Sequence, residues 1–478
     1  MQIRDIESKD SIVILLISFL FVLLLGTSNS PLYLNYSGDA MVFKTMALLM
    51  DKGGLLYEDL FDHKGFYIYL FNHLGRLVGG NLGIFFLMVV SLYLTFLIWL
   101  KIILLLTDGK YRYVYLGITL WLLAGYYFGG DFTEDVSLPF ISLPLLIYIN
   151  SIKNNRAINI KNYFLIGVCF GILTFIRINN AFPFVFFIVY NFFYFYKYNK
   201  LSYHIKQIIS FITGVCLAIA PAVVYFAITA GGKGIENMLF GTFIFNFDYK
   251  GNSEMPMINF GTILFYSLIV YLFLISVLNL RKIKHIAVPL FFTVLVSPFF
   301  IGSRTDIEYL VLFTPLCIIA FCFLASYPRV RCIINFAVII LLGAYFMQQT
   351  AYRCITNILY KERYEYTKFE QFVKTIDEED KKRIYNYANF MGLNLLYENN
   401  IIQCNRIILP FQLDLSENLR QQESEKNISY YNPKYILVDW NFTHGEMSEY
   451  DQQIIKDKYN YLDSYQMGRL KVDCFVKK

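Results

Sequence analysis

Charge is scarce in this sequence. Of 478 residues only 16% are Asp, Glu, Lys or Arg, while 56% are hydrophobic and 18% aromatic. A soluble chain carries more charge than this to cover its surface, so a water-soluble globular protein is excluded. A basic cluster is also missing. The formal net charge is +6, but the lysines and arginines are dispersed along the chain, and nucleic acid is not an expected partner. The eight cysteines have no metal-ligand spacing. Cys169, Cys216, Cys317 and Cys322 fall in apolar runs and read as reduced core thiols. Cys404 and Cys474 fall in a polar tail, where no pattern decides for or against a disulfide. Internal repeats and low-complexity linkers are absent as well.

What the chain does have is long apolar runs, with a mean hydropathy of +0.46. Runs of about 18 residues or more that are nearly free of charge are long enough to cross a hydrocarbon core. Eleven spans are expected, near residues 12–27, 82–106, 113–128, 136–150, 163–176, 181–196, 208–230, 259–280, 286–301, 307–326 and 332–347. The first run is preceded by acidic as well as basic residues and followed by no small-x-small cleavage site, so it reads as a retained span. With the N-terminus cytoplasmic, the inner segments hold 15 Lys and Arg in 50 residues, against 8 in 101 for the outer segments. That is the positive-inside bias. An odd number of spans then carries the tail outside. The predicted class is an all-α polytopic membrane domain over residues 1–347, with amphipathic helices in its first outer loop, followed by a small α/β extracytoplasmic domain over 348–478. In the tail, "FEQFVKTI" has helical spacing, while "NRIILPF" and "KYILVDW" are apolar, β-rich runs bounded by turn residues. The tail holds no nucleophile elbow, glycine-rich phosphate loop or zinc signature.

Four polar clusters sit at predicted outer span ends, where charges are costly to hold and often functional. The first outer loop opens with "GDAMVFKTMALLM", whose apolar residues recur at helical steps and describe a helix lying on the interface. Asp39 at its start is either an N-cap or a catalytic base. "FDHKGF" follows, with Asp62, His63 and Lys64 opening a second apolar run. These read either as a cap and a snorkelling lysine or as a pocket holding a base and a cation, suited to a lipid-linked phosphate. "GGDFTEDVSLPF" holds Asp131, Glu134 and Asp135, as a solvated turn or a site. "FIRINNAF" puts Arg177 outside, against the charge bias, so it calls for an anionic partner: a structural carboxylate or a substrate phosphate. "IGSRTDIEY" holds Arg304, Asp306 and Glu308, for which an internal ion pair is the plain account. His73, His204, His285 and His444 suggest no chemistry, and His204 and His285 are expected on solvated basic loops. Asn427 and Asn441 match the glycosylation sequon.

Taken together, these residues resemble the GT-C class of membrane glycosyltransferases that use polyprenyl-phosphate sugars, including the protein O-mannosyltransferase-like and aminoarabinose transferase-like families. The resemblance covers about residues 12–330. It rests on "GDA" after the first span, on "YEDLFDHKGFYIYLF", on "GGDFTEDVSLPF" and on "GILTFIRINNAF", in that order. The pattern departs at Glu308-Tyr309, where the family often has His-Tyr, and at Lys64-Gly65, where Lys-Pro is frequent. What the resemblance implies is an inverting transfer of a sugar from a polyprenyl-phosphate donor to a hydroxyl of an extracytoplasmic lipid, surface glycan or protein. Asp39 would be the general base, and Lys64, assisted by Arg177 and Arg304, would bind the donor phosphate. Asp62, His63, Asp131 and Glu134 would bind or orient substrate. It implies no nucleotide and no obligatory cofactor, although a divalent metal is compatible with it. The expected location is the plasma (inner) membrane. A transporter or flippase, or a polymerase, of lipid-linked glycans would share the spans; a transporter tends to keep its ionisable groups at the bilayer midplane rather than at the outer edge.

Overall fold

A computed structural model describes residues 6–33, 38–107, 109, 111–127, 129–196, 198–248, 260–279, 284–301, 307–324, 329–359, 365–406, 428–440, 447, 449–467 and 470–478. The chain is mostly helical, with a small sheet near its C-terminus. Five helices among the described residues are long and apolar enough to cross a membrane: Ser8–Leu25, Phe66–Leu106, Thr133–Lys153, Ile178–Tyr196 and Leu201–Ile244. Four shorter apolar helices accompany them, Ile160–Thr174, Tyr266–Leu278, Lys284–Pro298 and Tyr309–Cys322. In the first helix, Ile12, Leu16, Leu20 and Leu24 stand exposed at intervals of four residues, while Ile14, Ser18, Phe21 and Val22 are buried. A helix with apolar residues on its outward face is solvated by lipid. The chain is therefore an integral membrane protein. Five spans meet the length criterion against the eleven expected, so the fuller count is not established by these helices.

Glycine pairs set where two of the long helices break. Gly80 (φ 62°) follows Gly79 inside Phe66–Leu106, and Gly231 (φ 62°) precedes Gly232 inside Leu201–Leu239. An L side chain at such a φ is strained, so each pair permits a kink that the flanking sequence would resist. The breaks fall beside the expected span limits at 82 and 230.

The chain divides into two compact units. The first comprises residues 1–30, 85–224 and 254–353. Its helices are tied by few, specific polar contacts. Asp10, buried, pairs with Arg112 at 3.1 Å, and the Trp99 indole N–H donates to Ser142 Oγ at 2.8 Å. Helix Ile160–Thr174 and the first half of Leu201–Leu239 cross closely at glycines. A Cβ on Gly167 would meet the Phe211 carbonyl oxygen at 2.1 Å, and one on Gly214 the Phe164 oxygen at 2.2 Å. Close packing of small residues holds helices together where lipid offers no hydrophobic drive. His204 is not on a solvated loop as expected. It is buried, bonded through Nδ1 to Gln207 at 2.9 Å, and its ring lies 5.0 Å from those of Phe192 and Tyr196. The aromatic neighbours three-dimensional packing brings to it outweigh the basic character of the local sequence.

The second unit comprises residues 31–84, 225–253 and 354–478. It contains a four-stranded sheet of order β1-β2-β4-β3, with β1 Ile384–Tyr387, β2 Tyr435–Val438, β3 Tyr459–Met467 and β4 Leu470–Lys477. β1 and β2 are parallel; β4 runs antiparallel to both β2 and β3. Tyr435 and Leu437 enter one apolar cluster with Phe369, Leu395 and Tyr465. Ile436 and Val438 enter another with Ile455 and Tyr459. Burial on both faces is why "YILV" is continuously apolar rather than alternating. "FEQFVKTI" lies largely in helix Tyr366–Lys374 and "KYILVDW" contains β2. Most of "NRIILPF" and the two sequon asparagines lie outside the described residues, as does His444. Cys404 and Cys474 are free thiols.

Candidate functional site

In the second unit the segment between the first two long apolar helices folds as a helix, a strained turn and a buried polar chain. Helix Gly38–Asp51 forms where expected, but it does not lie on an interface: Ala40 to Met50 are all buried. Helix Asn389–Glu398 packs along it, and this cover is invisible to a local hydrophobic pattern. Asp39 occupies the first turn, half-buried. Among the described residues its carboxylate makes no hydrogen bond or ion pair, so it does not act as a cap.

Asp62, His63 and Lys64 are 6, 8 and 6% exposed, far below the usual exposure of such residues. The sequence run becomes a chain in space. Asp62 Oδ1 lies 3.3 Å from His63 Nδ1, and Lys64 Nζ lies 2.7 Å from His63 Nε2. An ammonium donates only, so His63 Nε2 accepts from Lys64, and its proton sits on Nδ1, towards Asp62. The Tyr69 hydroxyl donates to Asp62 Oδ2 at 2.9 Å. Burial pushes the Asp62 carboxyl pKa up, but the hydrogen bond from His63, the charge of Lys64 and the Tyr69 hydroxyl outweigh it and hold Asp62 well below the usual carboxylate range. Tyr57 closes the loop, donating to the Lys64 carbonyl at 2.7 Å with Thr242 Oγ1 3.2 Å away. Its φ is 65°, rare for a bulky residue, and such strain clusters at functional sites. The tail of the chain holds this turn: Arg406 Nη2 donates to the Tyr57 carbonyl at 2.9 Å, and the Phe61 N–H donates to the Arg406 carbonyl at 2.8 Å.

Lys44 went unnoticed in the sequence because it reads as the polar face of an amphipathic helix. It is fully buried, with Nζ 5.9 Å from the Tyr397 ring centre. Burial raises the pKa of the neighbouring Glu398 carboxyl, and the Lys44 charge partly offsets this. Asp51 accepts from His73 at 2.7 Å and from Arg76 at 2.6 Å, and Arg76 donates on to the Tyr397 hydroxyl at 2.6 Å.

The first unit holds the other set of candidate residues. Arg177 finds the carboxylate that its position called for: Nη1 is 2.7 Å from Glu134 Oε1, with the Glu134 side chain 2% exposed and that of Arg177 18%. Its guanidinium also lies 4.6 Å from the Tyr309 ring centre and donates to the Tyr309 hydroxyl. Thr133 Oγ1 donates to Glu134 Oε2 at 2.9 Å, and Asn180 bonds the Thr133 carbonyl and Ser137 Oγ at 3.1 and 2.8 Å. The "GGD" run is a backbone device. Gly129, Gly130 and Asp131 have φ of 106°, 77° and 65° in succession, and Asp131 is fully buried. Of the two readings of the segment holding Asp131, Glu134 and Asp135, the solvated turn fails, because all three residues are buried. Arg304 and Asp306 lie outside the described residues. At Glu308-Tyr309 the sequence departs from the family's His-Tyr pair in its first residue and keeps the tyrosine; the partner of Tyr309, Arg177, lies 132 residues away. Among the described residues no three His, Cys, Asp or Glu side chains group as a metal site.

No family model and no curated protein matches this chain. Solved structures do. An arabinofuranosyltransferase, AftD from Mycobacteria, aligns at a TM-score of 0.51 and 11% identity, over 99% of this chain and 40% of its own. An oligosaccharyltransferase from Archaeoglobus fulgidus aligns more loosely, at a TM-score of 0.47 and 12% identity, over 94% of this chain and 71% of its own. Both are GT-C glycosyltransferases. At 11% identity what this chain shares with the mycobacterial protein is a fold, and it spans 40% of that protein's length.

Proposed function

With the GT-C fold as premise, we propose that this membrane protein is a glycosyltransferase, and that it moves a sugar from a polyprenyl-phosphate donor to a hydroxyl of an extracytoplasmic lipid, glycan or protein. Fold alone does not fix chemistry; the observation that carries the reading is the first outer loop. It combines an unpaired, half-buried carboxylate at a helix start with a buried carboxylate–imidazole–ammonium chain braced by two tyrosines. Asp39 takes the acceptor's proton as its oxygen attacks the anomeric carbon. The bond from that carbon to the phosphate oxygen breaks as the new one forms, and a single displacement inverts the centre. Lys64 stabilises the charge developing on the leaving phosphate, and His63 and Asp62 fix its direction. Arg177 and Arg304 are proposed as further phosphate contacts, with Glu134 orienting Arg177, and Asp131 as a substrate-orienting residue. The eleven-span arrangement, with a cytoplasmic N-terminus and an extracytoplasmic tail in the inner membrane, belongs to the same proposal.

The test is Asp39→Asn in the full chain, reconstituted in vesicles, with sugar release from a polyprenyl-phosphate sugar as the readout. Loss of a general base lowers turnover by about 10²–10⁴-fold, with donor binding retained. Undiminished turnover in correctly inserted protein would remove Asp39 and the mechanism built on it.

A further inference from the structure

We propose that a groove in the first unit seats an acyl chain of an anionic phospholipid, drawn from the leaflet that borders the basic loops. The site is separate from the transferase chemistry and does not depend on it. Helices Ile160–Thr174, Phe182–Tyr196 and Leu201–Leu239 surround a cavity of about 270 Å³. Tyr163, Phe170, Ile188, Val189, Phe193 and Phe211 are among its lining residues. The glycine crossing described above presses the first and third helices together on one side, and the ring-bearing face of the second helix covers the other. A dry apolar cavity of about 150 Å³ already binds a benzene-sized guest, so this one has room for a stretch of hydrocarbon.

One end of the groove is tied to the basic loops. The Gln207 amide donates to the Ile158 carbonyl at 2.6 Å and Ser210 Oγ to the Ile160 carbonyl at 2.7 Å. These bonds bring Lys206 and Lys161 to the same level, each two residues from a lining side chain, Ile208 and Tyr163. Lys161, Lys200 and Lys206 are exposed. From Val136 to Ile235 the sequence has no Asp or Glu at all, against eight Lys and Arg. Nothing in that stretch competes with a lipid phosphate for the ammonium groups. Two buried polar atoms at the same end have no hydrogen-bond partner among the described residues: the hydroxyl of Tyr163, 4% exposed, and Nε2 of His204, 1% exposed. A buried hydroxyl without a partner calls for an acceptor, and a lipid ester or phosphate oxygen is one. Because lipid tails are as apolar as the groove, the lining gives shape but little preference. Selection comes from the headgroup, at about fivefold for each lysine near the surface.

The full-length protein, purified in neutral detergent, is offered phosphatidylglycerol or phosphatidylcholine with identical acyl chains, and retained lipid is counted by native mass spectrometry. Phosphatidylglycerol is expected to be retained at least tenfold better. The combined Lys161→Gln, Lys200→Gln, Lys206→Gln variant, altered only at exposed positions, should bring that preference near unity. Val189→Trp, placed at an exposed lining position, should abolish retention without lowering the melting temperature. Equal retention of the two lipids, an unchanged preference in the triple variant, or unchanged retention in Val189→Trp would each overturn the proposal. Displacement by polyprenyl phosphate would overturn it too, by making the groove part of a donor site. None of these readouts requires turnover, so they stand or fall apart from the proposed transferase activity.

Discussion

Removing the Glu134 carboxylate is the sharpest perturbation available in the first unit. Glu134→Gln keeps the side chain's size and the contact with Thr133, but leaves the Arg177 guanidinium facing a neutral amide at a 2.7 Å site where Glu134 is 2% and Arg177 18% exposed. Breaking a buried pair from one side costs about 3–5 kcal/mol, because the surviving charge is uncompensated. Arg177→Met should cost a similar amount, since it strands Glu134 and empties the space beside the Tyr309 ring. The double variant strands no charge, so its cost should fall short of the sum of the singles by about 2–3 kcal/mol. The assay is reversible unfolding in mixed micelles, at equal detergent composition for all four proteins. A double variant whose cost equals the sum of the two singles would refute the coupling, and with it the claim that Glu134 holds Arg177 in place.

Two further outcomes follow from the geometry. Asp62 has a folded-state pKa below its unfolded value, so its contribution to stability is full above the ordinary carboxylate pKa of about 4 and is lost as pH falls through the lower, folded value. The stability difference between wild type and Asp62→Asn should therefore stay constant from pH 5 to 8 and shrink only under acid, and unfolding measured across that range checks it; a difference that narrows between pH 5 and 8 would contradict the assignment. Gly130→Ala should destabilise by about 2 kcal/mol or more, because its φ is 77° and the new Cβ would meet the Tyr127 hydroxyl at 2.3 Å, whereas Gly53→Ala, with φ 73° and open space, should cost only about 1 kcal/mol. Parallel melts of the two variants decide this.

Much of the candidate chemistry was legible as residues but not as geometry. Asp62, His63 and Lys64 are adjacent in sequence, so their association needed no fold; their order as a carboxylate–imidazole–ammonium chain needed Tyr69 and the turn at Tyr57. The need of Arg177 for an anion followed from its place against the charge bias, yet its pairing with Glu134, 43 residues away, did not. Lys44 was missed, and Tyr309 was named without a role, for one reason. Each is polar or aromatic in a segment whose periodicity already had an adequate explanation, and only contact with residues far along the chain makes it unusual.

The sequence by itself determined that the chain lives in lipid, because a bilayer is a solvent and hydropathy measures compatibility with it residue by residue. Hydropathy also placed span limits at 82 and 230, beside the glycine pairs Gly79-Gly80 and Gly231-Gly232 at which the structure breaks two long helices. Tertiary structure alone decided that the segment after the first apolar helix and the C-terminal sheet belong to one compact unit, joined by Arg76 to Tyr397 and by Arg406 to Tyr57. Contacts across more than 300 residues depend on chain closure and on shapes that no local window contains. It also decided that helix Gly38–Asp51 is enclosed rather than surface-lying, for burial belongs to what packs against a helix and not to the helix itself.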